Sequence, residues 1–221
     1  MVNSLIMILP LDKKLRKRMH RKIALVQDIL VMEVYNNFPK AVIRGGTALW
    51  RCYGSNRFSE DLDFYLPLNL KQEKFENFLN GLKQKGFGIE KFKRTENSIF
   101  SKFSYLEATV RFEAVFKNVK NFVTKNFEMS DGTFILVNTL TPENMLEEKI
   151  LTYMERRRVK DLYDIFFLLK ICRKENVKDN VRKLMEEFKK PIDEKELKVL
   201  IISGSIPSVE EMLRVVRIWA K

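Results

Sequence analysis

A pair of glycines followed closely by two aspartates confines the middle of this chain to one local arrangement. The run is Val42-Ile43-Arg44-Gly45-Gly46-Thr47-Ala48-Leu49, and after a polar link comes Arg57-Phe58-Ser59-Glu60-Asp61-Leu62-Asp63-Phe64. Ala41–Arg44 reads as a strand that turns at the glycines, where no Cβ obstructs the backbone. Thr47–Tyr53 then reads as a short helix and Asp61–Leu66 as a second strand. Alternation along that strand puts Asp61 and Asp63 on one face, with Leu62 and Phe64 turned to the core. Cα atoms two residues apart on a strand lie about 6.5 Å apart, so both carboxylates can reach one cluster of divalent cations. Two metals about 4 Å apart can activate an attacking oxygen and neutralise a leaving phosphate. The amides of Gly46 and Thr47, opening a helix, suit a triphosphate. Alone, an Asp-x-Asp is a polar strand end and a Gly-Gly is a turn. Their order within about two dozen residues is what carries information.

The rest of the composition narrows the chemistry further. With 221 residues the chain can bury a proper core. No apolar run is long enough to span a membrane, and residues 1–10 do not resemble a signal peptide, so the expectation is a soluble, cytoplasmic protein with no membrane partner. The two cysteines, Cys52 and Cys172, have no paired spacing; buried reduced thiols are the simplest reading. His20 is the only histidine and lies in a basic run, which removes the usual Ser-His-Asp triad and histidine-ligated zinc. Carboxylates, hydroxyls, lysine and metal are left to do the work.

Lys plus Arg is 41 against 29 acidic residues, a formal charge of +12. Residues 12–22 carry seven Lys/Arg against one Asp, residues 83–94 are lysine-rich, and Arg156-Arg157-Arg158 with Lys160 forms a third cluster. Such fields attract polyanions, and RNA contact is the functional reading; a solvated surface is the plain one.

Along the chain, Leu15, Met19, Ile23, Val26, Leu30 and Val34 recur at spacings of three and four, which predicts one long amphipathic helix over 12–37, ended by Pro39. Leu70–Lys85 reads as a helix stopped by Gly86. Phe87–Thr95, Ile99–Leu106 and Thr109–Phe116 read as successive antiparallel strands, with a further strand at Phe134–Val137. At Thr141-Pro142-Glu143 the pattern changes. Thr141 suits an N-cap and Pro142 the first helical position. Helices are expected at about 142–157, 159–174, 177–189, 193–203 and 208–219. The expectation is a domain over 1–140 followed by a helical one over 141–221.

Two further groups invite a chemical reading. Glu113 alternates with Val110, Phe112 and Ala114 on its strand, and so suits a third acid that activates a hydroxyl or binds metal. An Arg111–Glu113 pair on an open sheet face is the equal alternative. Lys149, Tyr153 and Arg156 fall at i, i+4 and i+7, and Asp161 and Asp164 at i, i+3 of the next helix. The cations can hold triphosphate oxygens and the acids can orient them. Ordinary exposed ion pairs between two helices fit the spacing equally.

Taken together, Gly45-Gly46-Thr47-Ala48-Leu49, Arg57-x-Ser59-x-Asp61-Leu62-Asp63-Phe64 and the later Glu148-Lys149-Ile150…Arg156…Lys160-Asp161-Leu162-Tyr163-Asp164-Ile165 resemble the AbiEii/AbiGii/MenT family of nucleotidyltransferase-like toxins. The resemblance covers about 41–170. It implies an α+β fold with a polymerase-β-like core, a mixed sheet with flanking helices, and a helical C-terminal region. It implies Asp61 and Asp63 as ligands of Mg2+ or Mn2+, Lys149 as the family's lysine, and Asp161 or Asp164 as its later aspartate. Of these two, Asp164 is favoured, since a capping role suffices for Asp161. Ser59 stands where members carry a hydroxyl. One departure is Met145 where an asparagine is expected four residues before the lysine, with Asn144 one place earlier.

The activity implied is transfer of a nucleotide from an NTP such as ATP to RNA, in some members the tRNA acceptor end, under restraint by an antitoxin. Gly45, Gly46, Thr47 and Ser59 would line the phosphates, Lys149 and Arg156 would neutralise them, and Glu113 would act as base. Two other readings compete: transfer to a protein hydroxyl or a small molecule such as an aminoglycoside, and a catalytically silent nucleic-acid-binding regulator.

Overall fold

The computed structural model describes residues 10–221. Its elements run α1 (Leu11–Lys14), α2 (Arg18–Asn37), β1 (Val42–Arg44), α3 (Gly45–Tyr53), β2 (Leu62–Leu66), α4 (Gln72–Gln84), β3 (Gly88–Arg94), β4 (Ser98–Tyr105), β5 (Ala108–Phe116), β6 (Phe122–Glu128) and β7 (Phe134–Leu140). Helices follow: α5 (Pro142–Arg156), α6 (Val159–Leu168), α7 (Lys174–Glu186), a 3₁₀ turn (Glu194–Glu196), α8 (Leu197–Leu200) and α9 (Val209–Ala220). The strands form one seven-stranded sheet in the order β3-β4-β5-β2-β1-β7-β6. It is mixed, with β2 parallel to β5 and the β3-β4-β5 run antiparallel. This is the α+β class that the sequence implied. Among the described residues no helix is long and apolar enough to cross a membrane.

The chain divides into two compact units that do not follow chain order. Among the described residues, the first holds 10–43, 60–119 and 124–138; the second holds 44–59, 120–123 and 139–221. Residues 44–59, which precede the expected boundary at 140, thus pack with the C-terminal helices.

In the first unit, α2 and α4 cover one face of the sheet. Leu62 and Phe64 of β2 pair in register with Phe112 and Ala114 of β5, and all four are buried. Phe78 of α4 meets Phe103 and Phe112 with ring centroids 5.9 Å from each, and Phe38 at 5.6 Å. Burying aromatic rings in tilted and edge-on contacts of this kind supplies much of the apolar drive of a small core. The alternate residues, Asp63 and Glu113, lie on the other face. The expected single helix over 12–37 is broken at Leu15–Lys17. Leu11 and Leu15 are both buried, Asp12 N–H donates to the Ser130 carbonyl at 2.9 Å, and Arg21 Nε donates to the Leu15 carbonyl at 2.7 Å. Those tertiary bonds replace the helical ones that continuous periodicity predicts.

In the second unit, Thr141 caps α5 as expected, its Oγ1 accepting from Asn144 N–H at 3.3 Å, with Pro142 at the first position. The α6 helix ends at Leu168 rather than 174, and α7 runs 174–186 rather than 177–189. The helix expected over 193–203 is only a 3₁₀ turn and one α turn. Beyond them Ile201 pairs antiparallel with Arg57, Phe58 N–H donates to the Leu200 carbonyl and Ile202 N–H to the Asn56 carbonyl, both at 2.8 Å. The β-branched Ile201 and Ile202 favour that extended pairing.

Candidate active site

The second unit brings five charged side chains into one network around two buried carboxylates. Asp161 and Asp164 lie three residues apart on α6, both with side chains wholly removed from solvent. Arg57 grips Asp164 with both arms of its guanidinium, Nε to Oδ1 at 2.7 Å and Nη2 to Oδ2 at 2.8 Å. Its Nη1 donates to the Phe58 carbonyl at 3.0 Å. Lys149 Nζ lies 2.7 Å from Asp164 Oδ2 and 3.3 Å from Asp161 Oδ1. Arg156 completes the set with a second fork on Asp161, Nε–Oδ2 2.7 Å and Nη2–Oδ1 2.9 Å. Burial alone would push the Asp164 carboxyl up, but the charges of Arg57 and Lys149 win and hold it below the ordinary carboxylate value. Burial likewise disfavours the Arg57 cation, and Asp164 more than restores it.

At two points the structure departs from what the sequence spacing predicts. Of the ion pairs it allowed between the helices, those of Lys149 with Asp161 and Asp164 are buried, and only the Arg156 side of its pair with Asp161 is partly exposed. Asp161 is no helix cap: at the start of α6 the Val159 N–H donates to Asp193 Oδ1 at 2.6 Å, and Asp161 serves Arg156 and Lys149 instead. Tyr153, placed by spacing on the face of Lys149 and Arg156, turns its hydroxyl to the Lys189 carbonyl at 2.7 Å. Arg57 is the site residue that sequence reasoning passed over. It stood in the quoted motif, but nothing local marks an arginine for a partner 107 positions away.

The glycine pair meets this network. Gly45 has φ 72°, the left-handed region, where a side chain is strained. A Cβ on Gly46 would collide with the Arg57 guanidinium and stand 2.7 Å from Ser59 Oγ. Thr47 and Ser59 are both buried. Arg44 Nη1 also bonds Glu148 Oε2 at 2.9 Å, which ties the strand end before the glycines to α5.

The first unit carries the carboxylate set. Asp63 and Glu113 are register partners on parallel β2 and β5, so their side chains share a face about 4.8 Å apart along the ladder direction. Asp61 precedes β2 by one residue. Arg111 lies by both neighbours, 3.3 Å from Asp61 Oδ2 and 3.6 Å from Glu113 Oε1, all three side chains partly exposed. The pairing of Arg111 with Glu113 that the sequence left open is therefore present, and Asp61 shares it. Among the described residues no three His, Cys, Asp or Glu side chains are grouped to hold a metal. Mg2+ needs only one or two carboxylates when phosphate and water supply the rest. The hard oxygens of Asp61 and Asp63 fit that demand.

The sequence matches the family described as nucleotidyl transferase AbiEii toxin, type IV TA system, over residues 29–210. No curated protein matches it by sequence. Among solved structures, JHP933 from Helicobacter pylori superposes with a TM-score of 0.60 at 20% identity, covering 89% of this chain and 90% of its own. MenT4, a nucleotidyltransferase toxin from Mycobacterium tuberculosis, gives a TM-score of 0.60 at 17% identity, covering 90% of this chain and 82% of its own. At such identities these two speak for the fold.

Proposed function

Since the chain belongs to the AbiEii nucleotidyl transferase toxin family and is a nucleotidyltransferase, we propose that it acts as a toxin that moves a nucleotide from an NTP to RNA, with the tRNA 3′ end as the favoured acceptor. The observation that carries the reading is the pairing of Asp63 with Glu113 on one sheet face, two residues after Asp61. A divalent cation on Asp61 and Asp63, Mg2+ or Mn2+, would supply Lewis-acid stabilisation of the phosphoryl oxygens. Glu113 accepts the proton of the RNA hydroxyl as its oxygen bonds to the α-phosphorus. The bond from that phosphorus to the β-phosphate oxygen breaks, and pyrophosphate leaves.

In the second unit, Gly45, Gly46, Thr47 and Ser59 bind triphosphate oxygens through backbone N–H and hydroxyl groups, and Lys149 and Arg156 offset their charge. Asp161 and Asp164 fix the two cations in place. Arg57 is a positioning residue, holding Asp164 and filling the space above Gly46. RNA is favoured over a protein or small-molecule acceptor by the charge of +12. An adjacent antitoxin that restrains the enzyme in the cytoplasm belongs to the same reading.

The test is incubation with each labelled NTP, Mg2+ and total RNA. Label in a tRNA band is the expected result. Label in protein, or in neither, overturns the RNA assignment.

A further inference from the structure

The C-terminal end of α5 holds a second group of side chains that the transfer chemistry does not use. A cavity of about 240 Å³ opens there, lined among others by Tyr153, Met154, Arg157, Glu187, Phe188 and Lys189. One wall is aromatic, the Tyr153 and Phe188 rings stacking at 5.7 Å with 15° between their planes. The wall is fixed in place. Tyr153 Oη donates to the Lys189 carbonyl at 2.7 Å, and Ile192 N–H donates to the Arg157 carbonyl at 3.0 Å.

Three observations point to what this cavity takes. Arg157 closes α5 in the left-handed region, φ 50°, a position that glycine would occupy without strain, yet the chain places a cation there. Among the described residues the side chains of Arg157, Glu187 and Lys189 make no hydrogen bond or ion pair, whereas neighbouring Arg158 is bound to Asp193 and Glu196. Finally, the volume falls below the roughly 300–1,000 Å³ of sites that enclose a whole drug-sized ligand. It suits one planar ring system whose remainder stays outside.

We propose that this cavity holds one unstacked nucleobase of the acceptor RNA, with its flanking phosphates on Arg157 and Lys189. The base lies against Phe188, as bases do on aromatic platforms of single-strand binders. Its amino and imino N–H groups face Glu187 and the carbonyl-rich ends of α5 and α7, which carry partial negative charge. The phosphates face Arg157 and Lys189. One cavity thus offers acceptors to the base edge and cations to the backbone. This rests on RNA being the acceptor.

The test uses the full chain without NTP and a fluorescent single-stranded RNA carrying 4-thiouridine, read by anisotropy across a salt series and by cross-link mapping. Phe188→Leu is expected to weaken binding about tenfold, within the range of one lost base stack. Arg157→Gly relieves the backbone strain, so an unchanged or raised Tm confirms that it folds. It is expected to weaken binding and to lower the log Kd against log salt slope by about 0.7, the share of one phosphate contact on a single strand. Cross-links should map to Tyr153 or Phe188. Affinities equal to the parent in both variants, or cross-links confined to other segments, overturn the pocket and leave transfer to RNA standing. A parent that binds no RNA overturns both. A free nucleoside monophosphate that fills the cavity without competition from RNA overturns the pocket alone.

Discussion

Arg57→Met cuts three hydrogen bonds in the second unit and leaves Asp164 buried with Lys149 as its remaining cation. The bonds lost are those to Asp164 at 2.7 and 2.8 Å and to the Phe58 carbonyl at 3.0 Å. Removing one partner of a buried ion pair costs about 3–5 kcal/mol, because the other charge stays desolvated. Lys149, 2.7 Å from Asp164 Oδ2, keeps part of the compensation, so the lower end of that range is expected. In a chain of this length about 3 kcal/mol lowers Tm by roughly 6–12 °C. Urea unfolding with a constant m-value measures it directly. Asp164→Leu alone should cost a similar amount, since it strands Arg57. The double variant Arg57→Met/Asp164→Leu should cost less than the sum by about 2 kcal/mol or more. Additive single effects, or an Arg57→Met variant within about 1 kcal/mol of the parent, would refute the pairing.

The same pair fixes a pH dependence. The Asp164 carboxyl sits below its ordinary value of 3.8 in the folded chain, despite burial that opposes this, because Arg57 and Lys149 favour its charge. On acidification the unfolded chain takes up this proton first. The stabilisation is therefore complete above about pH 4 and is lost as pH falls from there through the folded value. In Arg57→Met, burial acts with less opposition, and this acid-side loss should shrink.

Asp61→Asn or Asp63→Asn should abolish nucleotidyl transfer while shifting unfolding free energy by less than about 1 kcal/mol, since partly exposed ion pairs contribute little; an active variant in the NTP assay would remove the metal assignment. Lys149→Ala should lower kcat more than it raises KM, and Lys149→Arg should restore only part of it, as a planar fork does not replace an ammonium that bridges two acids; normal turnover in Lys149→Ala would separate the buried network from the chemistry. Reversing Lys13, Lys14, Arg16, Lys17 and Arg18 to glutamate should flatten the salt dependence of RNA affinity, and an unchanged slope would make that segment a solvated surface.

Local patterns were legible where one residue's neighbours in sequence are also its neighbours in space. The strand, glycine turn and short helix of 41–53, the Asp-x-Asp strand, the β3-β4-β5 run and the capped start of α5 all follow from periodicity and turn chemistry. β6 escaped because it is an edge strand with most side chains wet, so Phe122–Glu128 shows no apolar alternation. The 193–203 segment carries apolar residues at helical spacing, and its extended end is chosen by the backbone of residues 56–58. The break at Leu15–Lys17 is set likewise by Ser130 and Arg21.

The site residues divide along the same line. Asp61, Asp63 and Glu113 could be placed on faces by counting along strands, but the meaning of Gly46 could not. Its sequence context offers a turn or a ligand as the reason for a missing side chain. The fold supplies a third, since the space a Cβ would occupy is filled by Arg57 and Ser59. Gly46, Arg57 and Asp164 therefore depend on one another in sequence: the glycine admits the guanidinium, and the guanidinium admits a buried carboxylate on α6. That carboxylate in turn fixes Lys149. A side chain at Gly46 should accordingly act at a distance along the chain. Gly46→Ala must displace Arg57 or Ser59, loosen the fork on Asp164, and lower stability by an amount that falls sharply when Arg57→Met is already present. Equal costs of Gly46→Ala in the two backgrounds, read by urea unfolding, would show that the glycine answers to something other than Arg57.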